Sequence, residues 1–392
     1  MPQAVAQDEP SGGELDTGDV MVEDQKQSNV VQISQAKAED AKSRITLPNQ
    51  IDIQFMDEAD SGLTQPMEGY NPRYKNIVDY IIGVTHEIWE EHGIGKLYDY
   101  YANTVKMHTA SGLKFGREAV IAATIESQAS FPDRRLYGEE VIWGGNNVDG
   151  FYTSHRLRHE GTNRGWTPYG PPTGKRVSYR TIADCVCVRD MMVEEWISRD
   201  ELTLIRQLGL DPVQTAKEMA AKEKDSDLPL RVVGDIDHRV GQLPPEPWPE
   251  AQTDQFDPED FVGRMMHEIW NWKLLNKARE YYHENFVFEG ASGRAFHGVD
   301  EFQTYALSLL SPFPDLSMSL NHFCHVGDAH AGYRVATRWA MRGTHTGYGI
   351  YGEPSGNPMR LMGFSHHVIK DGRIASESTV FDEFVLLKQI FA

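Results

Sequence analysis

Cysteine is scarce in this chain, with three in 392 residues, too few for a disulfide framework. Cys185 and Cys187 stand two apart in a strand-like run, so both turn to one face and read as a reduced core pair. Positive charge is also scarce. Lys and Arg number 38 against 58 Asp and Glu, a net charge of −20. That excludes the clustered basic surface a phosphate backbone needs, so no nucleic-acid partner is expected. No apolar run approaches about 18 residues, so no membrane span or membrane partner is expected. The first residues lack a basic stretch followed by an apolar one, and a cytoplasmic location is expected. Phosphate-loop, dinucleotide and Ser-His-Asp signatures are missing, and no cofactor is expected. His322, His325 and His330 lack the regular spacing of zinc ligands, so no metal is expected.

What the chain does contain is itself, twice. His86-Glu-Ile-Trp89 returns as His267-Glu-Ile-Trp270, and Tyr100-Tyr101 as Tyr281-Tyr282, at an offset of 181. After a one-residue slip the offset is 182: Phe131-Pro-Asp133 matches Phe313-Pro-Asp315, and Asp200-Glu201 matches Asp382-Glu383. A period this long marks a duplicated domain rather than a solenoid unit of about 20–50 residues. Each candidate residue can therefore be compared with its twin.

Residues 1–70 read as an acidic, flexible arm, carrying the short apolar runs Val30 to Ile33 and Ile51 to Phe55. The first folded unit spans 73–209. Ile77, Tyr80, Ile81, Val84, Ile88 and Trp89 follow helical spacing. Short helices are expected over Leu97 to Tyr101 and Arg117 to Ser130, then strands over Leu136 to Trp143, Phe151 to His159, Val177 to Val188 and Met192 to Ile197. The second unit, 257–392, repeats the order, with helices at Phe261 to Leu275 and Val299 to Leu310. Helices followed by a run of strands predict an α+β fold, with helices packed on an antiparallel sheet. The linker, 210–256, reads as a helix from Pro212 to Lys224 and then a Pro-rich spacer, Leu243 to Pro249, able to pack across both units.

Three signatures carry a resemblance. The first is the aromatic helix ending in Trp89 or Trp270, followed by Tyr-Tyr. The second is Gly343-Thr-His-Thr-Gly347 followed by Gly352-Glu-Pro-Ser-Gly356, with Gly161-Thr-Asn-Arg-Gly165 and Gly170-Pro-Pro-Thr-Gly174 as its first-unit version. The third is Lys370-Asp-Gly-Arg-Ile374 leading to Phe381-Asp382, with the twin Arg189-Asp-Met-Met-Val193 leading to Arg199-Asp200. Together they resemble the SnoaL-like polyketide cyclase family of the NTF2-like superfamily. The resemblance implies two tandem NTF2-like cones, each a curved sheet closed by helices over an apolar pocket. It also implies pairing of the cones, with each other or with a second chain as a homo-oligomer. The family's usual His and Asp pair, carried over, falls on Asn163 and Asp184 in the first unit and on His345 and His366 in the second. Each unit thus keeps half of the pair.

The residues give a second set. His155, Leu157 and His159 alternate onto one strand face, with Arg156, Arg158 and Glu160 on the other. If the histidines face the cone, they and Asp184 form an imidazole–carboxylate site. If they face outward, the charged face lines the cavity or a domain contact. His86, Trp89 and Tyr101, with twins His267, Trp270 and Tyr282, are candidate pocket walls, as are Asn163, Arg156 and Arg338. Glu195 and Glu377 are expected to pair with Arg156 and Arg338. The function these features imply is a cofactor-independent general acid–base enzyme of cyclase, isomerase or hydrolase type. Its substrate would be a small carbonyl- or ester-bearing molecule. The alternative is a non-catalytic ligand-binding or assembly protein.

Overall fold

A computed structural model describes residues 64–224, 245–250 and 255–392. The apolar runs of the expected N-terminal arm lie outside the described residues. Its end does not: Tyr70 is buried and its hydroxyl donates to the Cys187 carbonyl at 2.9 Å, so Thr64 to Tyr70 belongs with the first unit.

Helix α1, Ile77–Thr85, starts where the Asn76 side chain accepts from Asp79 N at 2.8 Å. It widens into a π turn, His86–Glu90, and ends at His92, whose φ of 59° is left-handed. Then come α2, Leu97–Tyr100; β1, Tyr101–Thr109; β2, Gly112–Phe115; and α3, Arg117–Ser130. Strands β3, Arg135–Asn146; β4, Gly150–Thr162; β5, Arg176–Val188; and β6, Met191–Arg199 follow, closed by α4, Glu201–Leu208. The sheet order is β2-β1-β6-β5-β4-β3, and β1 runs parallel to β6. The sheet is therefore mixed rather than antiparallel throughout.

Helix α5, Pro212–Lys224, joins the units. The second unit holds α6, Pro258–Met266; α7, Ala278–Tyr281; β7, Tyr282–Glu289; β8, Ala295–His297; and α8, Val299–Leu310. It continues with β9, Ser317–Asp328; β10, Gly332–Thr344; β11, Pro358–Lys370; β12, Arg373–Phe381; and α9, Glu383–Phe391. Its strand order, β8-β7-β12-β11-β10-β9, is that of the first sheet.

The repeated motifs are joints. Asp133 and Asp315 of the two Phe-Pro-Asp turns each accept from the end of the second strand that follows, Thr162 N of β4 and Thr344 N of β10, both at 2.7 Å. Gly165 and Gly347 lie so close to the Ala129 and Ser311 carbonyls that neither position has room for a Cβ. The described residues of the spacer contact the second unit: Trp248 Nε1 donates to Asp260 Oδ1 at 2.8 Å, and Arg264 donates to the Pro249 carbonyl at 3.1 Å.

In each unit one sheet face packs on its helices and forms the cone. The other faces meet each other. Ile182 and Trp196 of the first sheet cluster with Met362, Phe364 and Val380 of the second, and Ile142 with Cys324 and Ala336. This seam buries both faces of the central strands.

Candidate functional site

Strand parity sorts the polar residues between cones and seam. In the second unit the cone holds an apolar cavity of ≈ 20 Å³, room for about one water. Met266, Trp270, Met318, Met341, Met359 and Leu386 supply much of its wall, and Ser365, Glu377 and Thr379 its polar floor. Glu377 is 7 % exposed. It accepts from Tyr282 at 2.6 Å and from Thr379 at 2.8 Å, and His367 Nε2 stands 3.6 Å away. Ser365 bonds Thr379 at 2.7 Å and accepts from Trp339 Nε1 at 3.0 Å. Burial pushes the Glu377 carboxyl up. The His367 imidazole and the hydrogen bonds outweigh it and hold the group below the usual carboxylate range.

The first cone keeps the floor pair, with Tyr101 donating to Glu195 at 3.0 Å. Here burial wins and Glu195 is raised, against the Tyr101 hydrogen bond and the Arg199 charge. His155 and His159 face this cone. Burial pushes His155 down to about 3, and its Nε2 has no partner. His159 stacks on Tyr179 with centroids 4.8 Å apart, and burial, with Arg134 and Arg199 nearby, holds it well below its usual value.

Asp184 does not join them. It pairs with Ser154 of β4, on the seam face, while His155 and His159 turn the other way. Its carboxylate takes the Tyr152 hydroxyl, and Arg338 of the second unit lies 3.9 Å away. Burial pushes it up to about 6, against the Arg338 charge. The expected imidazole–carboxylate site is therefore not assembled, because the period of two puts its parts on opposite faces. The same holds for His345 and His366. His345 sits in the turn after β10, bonded to Ser355 Oγ at 3.2 Å. His366 is in the seam, its Nε2 on Ser154 and its Nδ1 on Glu140, both at 2.8 Å. Burial lowers both imidazoles, and they share no partner.

The expected ion pairs of Glu195 and Glu377 with Arg156 and Arg338 do not form, since the acids face the cones and the arginines the seam. Arg156 instead lies 3.3 Å from Glu139 and 3.4 Å from Glu140, and Arg338 stacks 3.6 Å over Trp196. His86 is exposed and bonds Glu90 at 2.7 Å. His267 meets the Glu246 carbonyl of the spacer at 2.7 Å. Neither enters a cone. Asn163 clamps its own loop, accepting from Thr173 N at 2.7 Å and donating to the Gly165 carbonyl at 2.8 Å. Trp270 lines the second cavity, and Trp89 meets Tyr101 edge-on at 6.4 Å. The residues not singled out from sequence are Ser365, His367 and Thr379 around Glu377, and Arg134 and Arg199 in the first cone. Extending the His155–His159 parity along β6 would have placed Glu195 and Arg199 together.

Among the described residues no cluster of three or more His, Cys, Asp or Glu could hold a metal ion, and no helix is long and apolar enough to cross a membrane. The SnoaL-like polyketide cyclase family matches residues 80–208 and 261–390. Among solved structures, IdmH from Streptomyces antibioticus is 23% identical over 35% of this chain and 100% of its own, with a TM-score of 0.31. A SnoaL-like polyketide cyclase from Agrobacterium tumefaciens is 18% identical over 33% of this chain and 96% of its own, TM-score 0.29. TsrD from Streptomyces laurentii is 18% identical over 35% and 98%, TM-score 0.30. A comparison with curated proteins gives no match.

Proposed function

The chain belongs to the SnoaL-like polyketide cyclase family, and on that premise we propose that it is a cofactor-independent acid–base enzyme whose reactive group is Glu377 in the second cone. The observation that carries this reading is a buried carboxylate at the floor of an apolar pocket, with hydroxyls beside it. Because its neighbours hold it below the usual range, Glu377 is ionised at neutral pH and ready to accept a proton. The same shift makes it a weak base. It suits a carbon acid activated by two carbonyls, whose C–H electrons pass into an enolate as Glu377 takes the proton. Once Glu377 is protonated, the Thr379 hydroxyl is released from it and can donate to Ser365 instead, which frees the Ser365 proton for the enolate oxygen. Substrate entry requires the cavity to widen. Four methionines, Met266, Met318, Met341 and Met359, stand in its lining, and their unbranched side chains re-pack easily.

The narrowness of the cavity favours the second reading, a binding or assembly protein. Hydrogen–deuterium exchange at the central carbon of acetylacetone and of ethyl acetoacetate separates the two. The enzyme is expected to accelerate exchange, and Glu377→Gln to remove about 10²–10⁴ of that acceleration. If wild type and E377Q exchange both compounds at one rate, the enzymatic reading fails and the binding reading stands.

A further inference from the structure

The two sheets share their register, so the second cavity names the equivalent positions in the first cone. His159 opposes Tyr179 as Met341 opposes Leu361, and Thr181 opposes Arg199 as Gly363 opposes Phe381. Arg134 follows its Phe-Pro-Asp turn as Leu316 follows the other. Leu316, Met341, Leu361 and Phe381 all line the second cavity. At those four places the first unit has Arg134, His159, Tyr179 and Arg199.

We propose that the first cone is a binding site for a small organic carboxylate, its head group held between Arg134 and Arg199 beside His159, its tail in the apolar part of the cone. Arg134 is 6 % exposed, its one side-chain hydrogen bond runs to the Ser127 hydroxyl, and its Nε has no partner. Neither arginine has a carboxylate within ion-pair distance among the described residues. A buried guanidinium without a counter-charge is costly, and an anion from outside the chain removes that cost. The acids that act electrostatically on Arg199 lie beyond ion-pair distance of it. Glu195 and Glu201 are committed to Tyr101 and Tyr169 hydroxyls at 3.0 and 2.7 Å, and burial raises both. Two guanidiniums match a planar carboxylate, which accepts a pair of N–H donors from each fork. Both ring nitrogens of His159 are buried without partners, so the neutral imidazole has a donor to add. The tail has room. Where the second cavity has Tyr305, Trp339 and Met359, the first unit carries the smaller Ala123, Leu157 and Val177.

Calorimetric titration of the full chain with acetate, hexanoate and benzoate, and with benzamide as the uncharged counterpart of benzoate, tests this. At least one of the three carboxylates is expected to bind at one site per chain, and benzamide at least about tenfold more weakly than benzoate where benzoate binds. Arg199→Phe and Arg134→Leu install the second unit's own residues and are each expected to weaken carboxylate binding at least about tenfold. Arg199→Phe should leave exchange chemistry in the second cone unchanged. If Arg134→Leu does not fold, Arg199→Phe and Arg199→Gln decide alone. Equal binding of benzoate and benzamide overturns the proposal. So does carboxylate binding indifferent to the Arg199 variants, or no binding of any of the three acids up to about 10 mM.

Discussion

Glu195 and Glu377 are the same residue at the same place on the same fold, each bonded to the same tyrosine of the pair Tyr101 and Tyr282. Their carboxyls nevertheless shift in opposite directions. The difference lies in two neighbours. Next to Glu377 stand His367 and Thr379, and at the equivalent places next to Glu195 stand Cys185 and Ile197. An imidazole and a hydroxyl tip the balance against the cost of burying charge, whereas a thiol and an alkyl group add nothing to the Tyr101 bond and the Arg199 charge, and burial wins. Duplication thus kept the scaffold and its floor pair, and changed the environment that sets what the carboxylate can do.

The largest effect that could break this comparison is on chemistry. Glu377→Gln should lower the exchange rate about 10²–10⁴-fold, and Glu195→Gln should leave it within about twofold. Equal losses in both variants would mean that the cones act alike and that the neighbours do not matter.

The next effect lies in the seam. Removing Arg338 leaves Asp184, 2 % exposed, without its charge partner. Arg338→Ala should cost roughly 3–5 kcal/mol in urea unfolding, and Asp184→Asn in the same chain should recover part of it. Because the seam joins the units, both should unfold in one transition. Two separated transitions in the wild type would show that the cones are energetically independent.

The seam also explains what could and could not be read from the residues alone. The duplication, most of the helices and, in the first unit, four of the six strands follow from spacing, whereas the closing helices Glu201–Leu208 and Glu383–Phe391 were not read from it. The face of each residue does not follow from it either. In Ala183-Asp184-Cys185-Val186-Cys187 both sides of the strand are buried, one by the cone and one by the other sheet. The polar alternation that marks a half-exposed strand is therefore absent. Asp184 entered the candidate site through the family resemblance, and without that alternation the strand pattern could not tell its face from that of His155. Strand β1 was missed because only Tyr101, Val105, Met107 and His108 of its nine residues are buried, an irregular pattern that follows directly from a helix. Arg134 and Arg199 were visible as cations opposite Leu316 and Phe381, a contrast found only by comparing twins.

Acidity should separate the units by a smaller amount. His155 is held at about 3 by burial, against about 6.5 in an unfolded chain. Between those values the unfolded state binds a proton that the folded state does not. Its contribution is therefore complete above about pH 6.5 and lost as pH falls toward 3. Asp184, pushed up to about 6, has the opposite sign: the folded state holds the extra proton, so stability falls as pH rises from about 4 to 6. The twin substitution His155→Thr should flatten the stability profile near pH 5 by about 1.4 kcal/mol per pH unit, and Asp184→Asn should steepen it by slightly less. Urea midpoints across pH 4.5–6.5, roughly the window between these values, read both slopes. Unchanged slopes would mean that these groups are not buried as described.

The smallest effect compares the two helix caps. Asp200 and Asp382 are twins, each at the N-terminus of its unit's last helix. Asp382 Oδ1 accepts from Phe384 N at 3.0 Å and Val385 N at 3.1 Å, within its own unit. Asp200 accepts from Thr203 N at 3.1 Å and also from Ser292 N of the second unit at 2.8 Å. Loss of a cap costs about 1 kcal/mol. Loss of the Ser292 acceptor leaves a buried N–H unpaired and adds about 1–3 kcal/mol. Asp200→Ala should therefore destabilise the chain more than Asp382→Ala, and the excess measures what the bond between units contributes. Asparagine at position 200 keeps an acceptor oxygen and should recover most of the loss. Burial raises both carboxyls, so part of the capping gain is already offset by desolvation, and the two alanine costs should fall at the low end of these ranges. Equal costs for the two alanine variants would show that the Ser292 contact contributes nothing to the joining of the units.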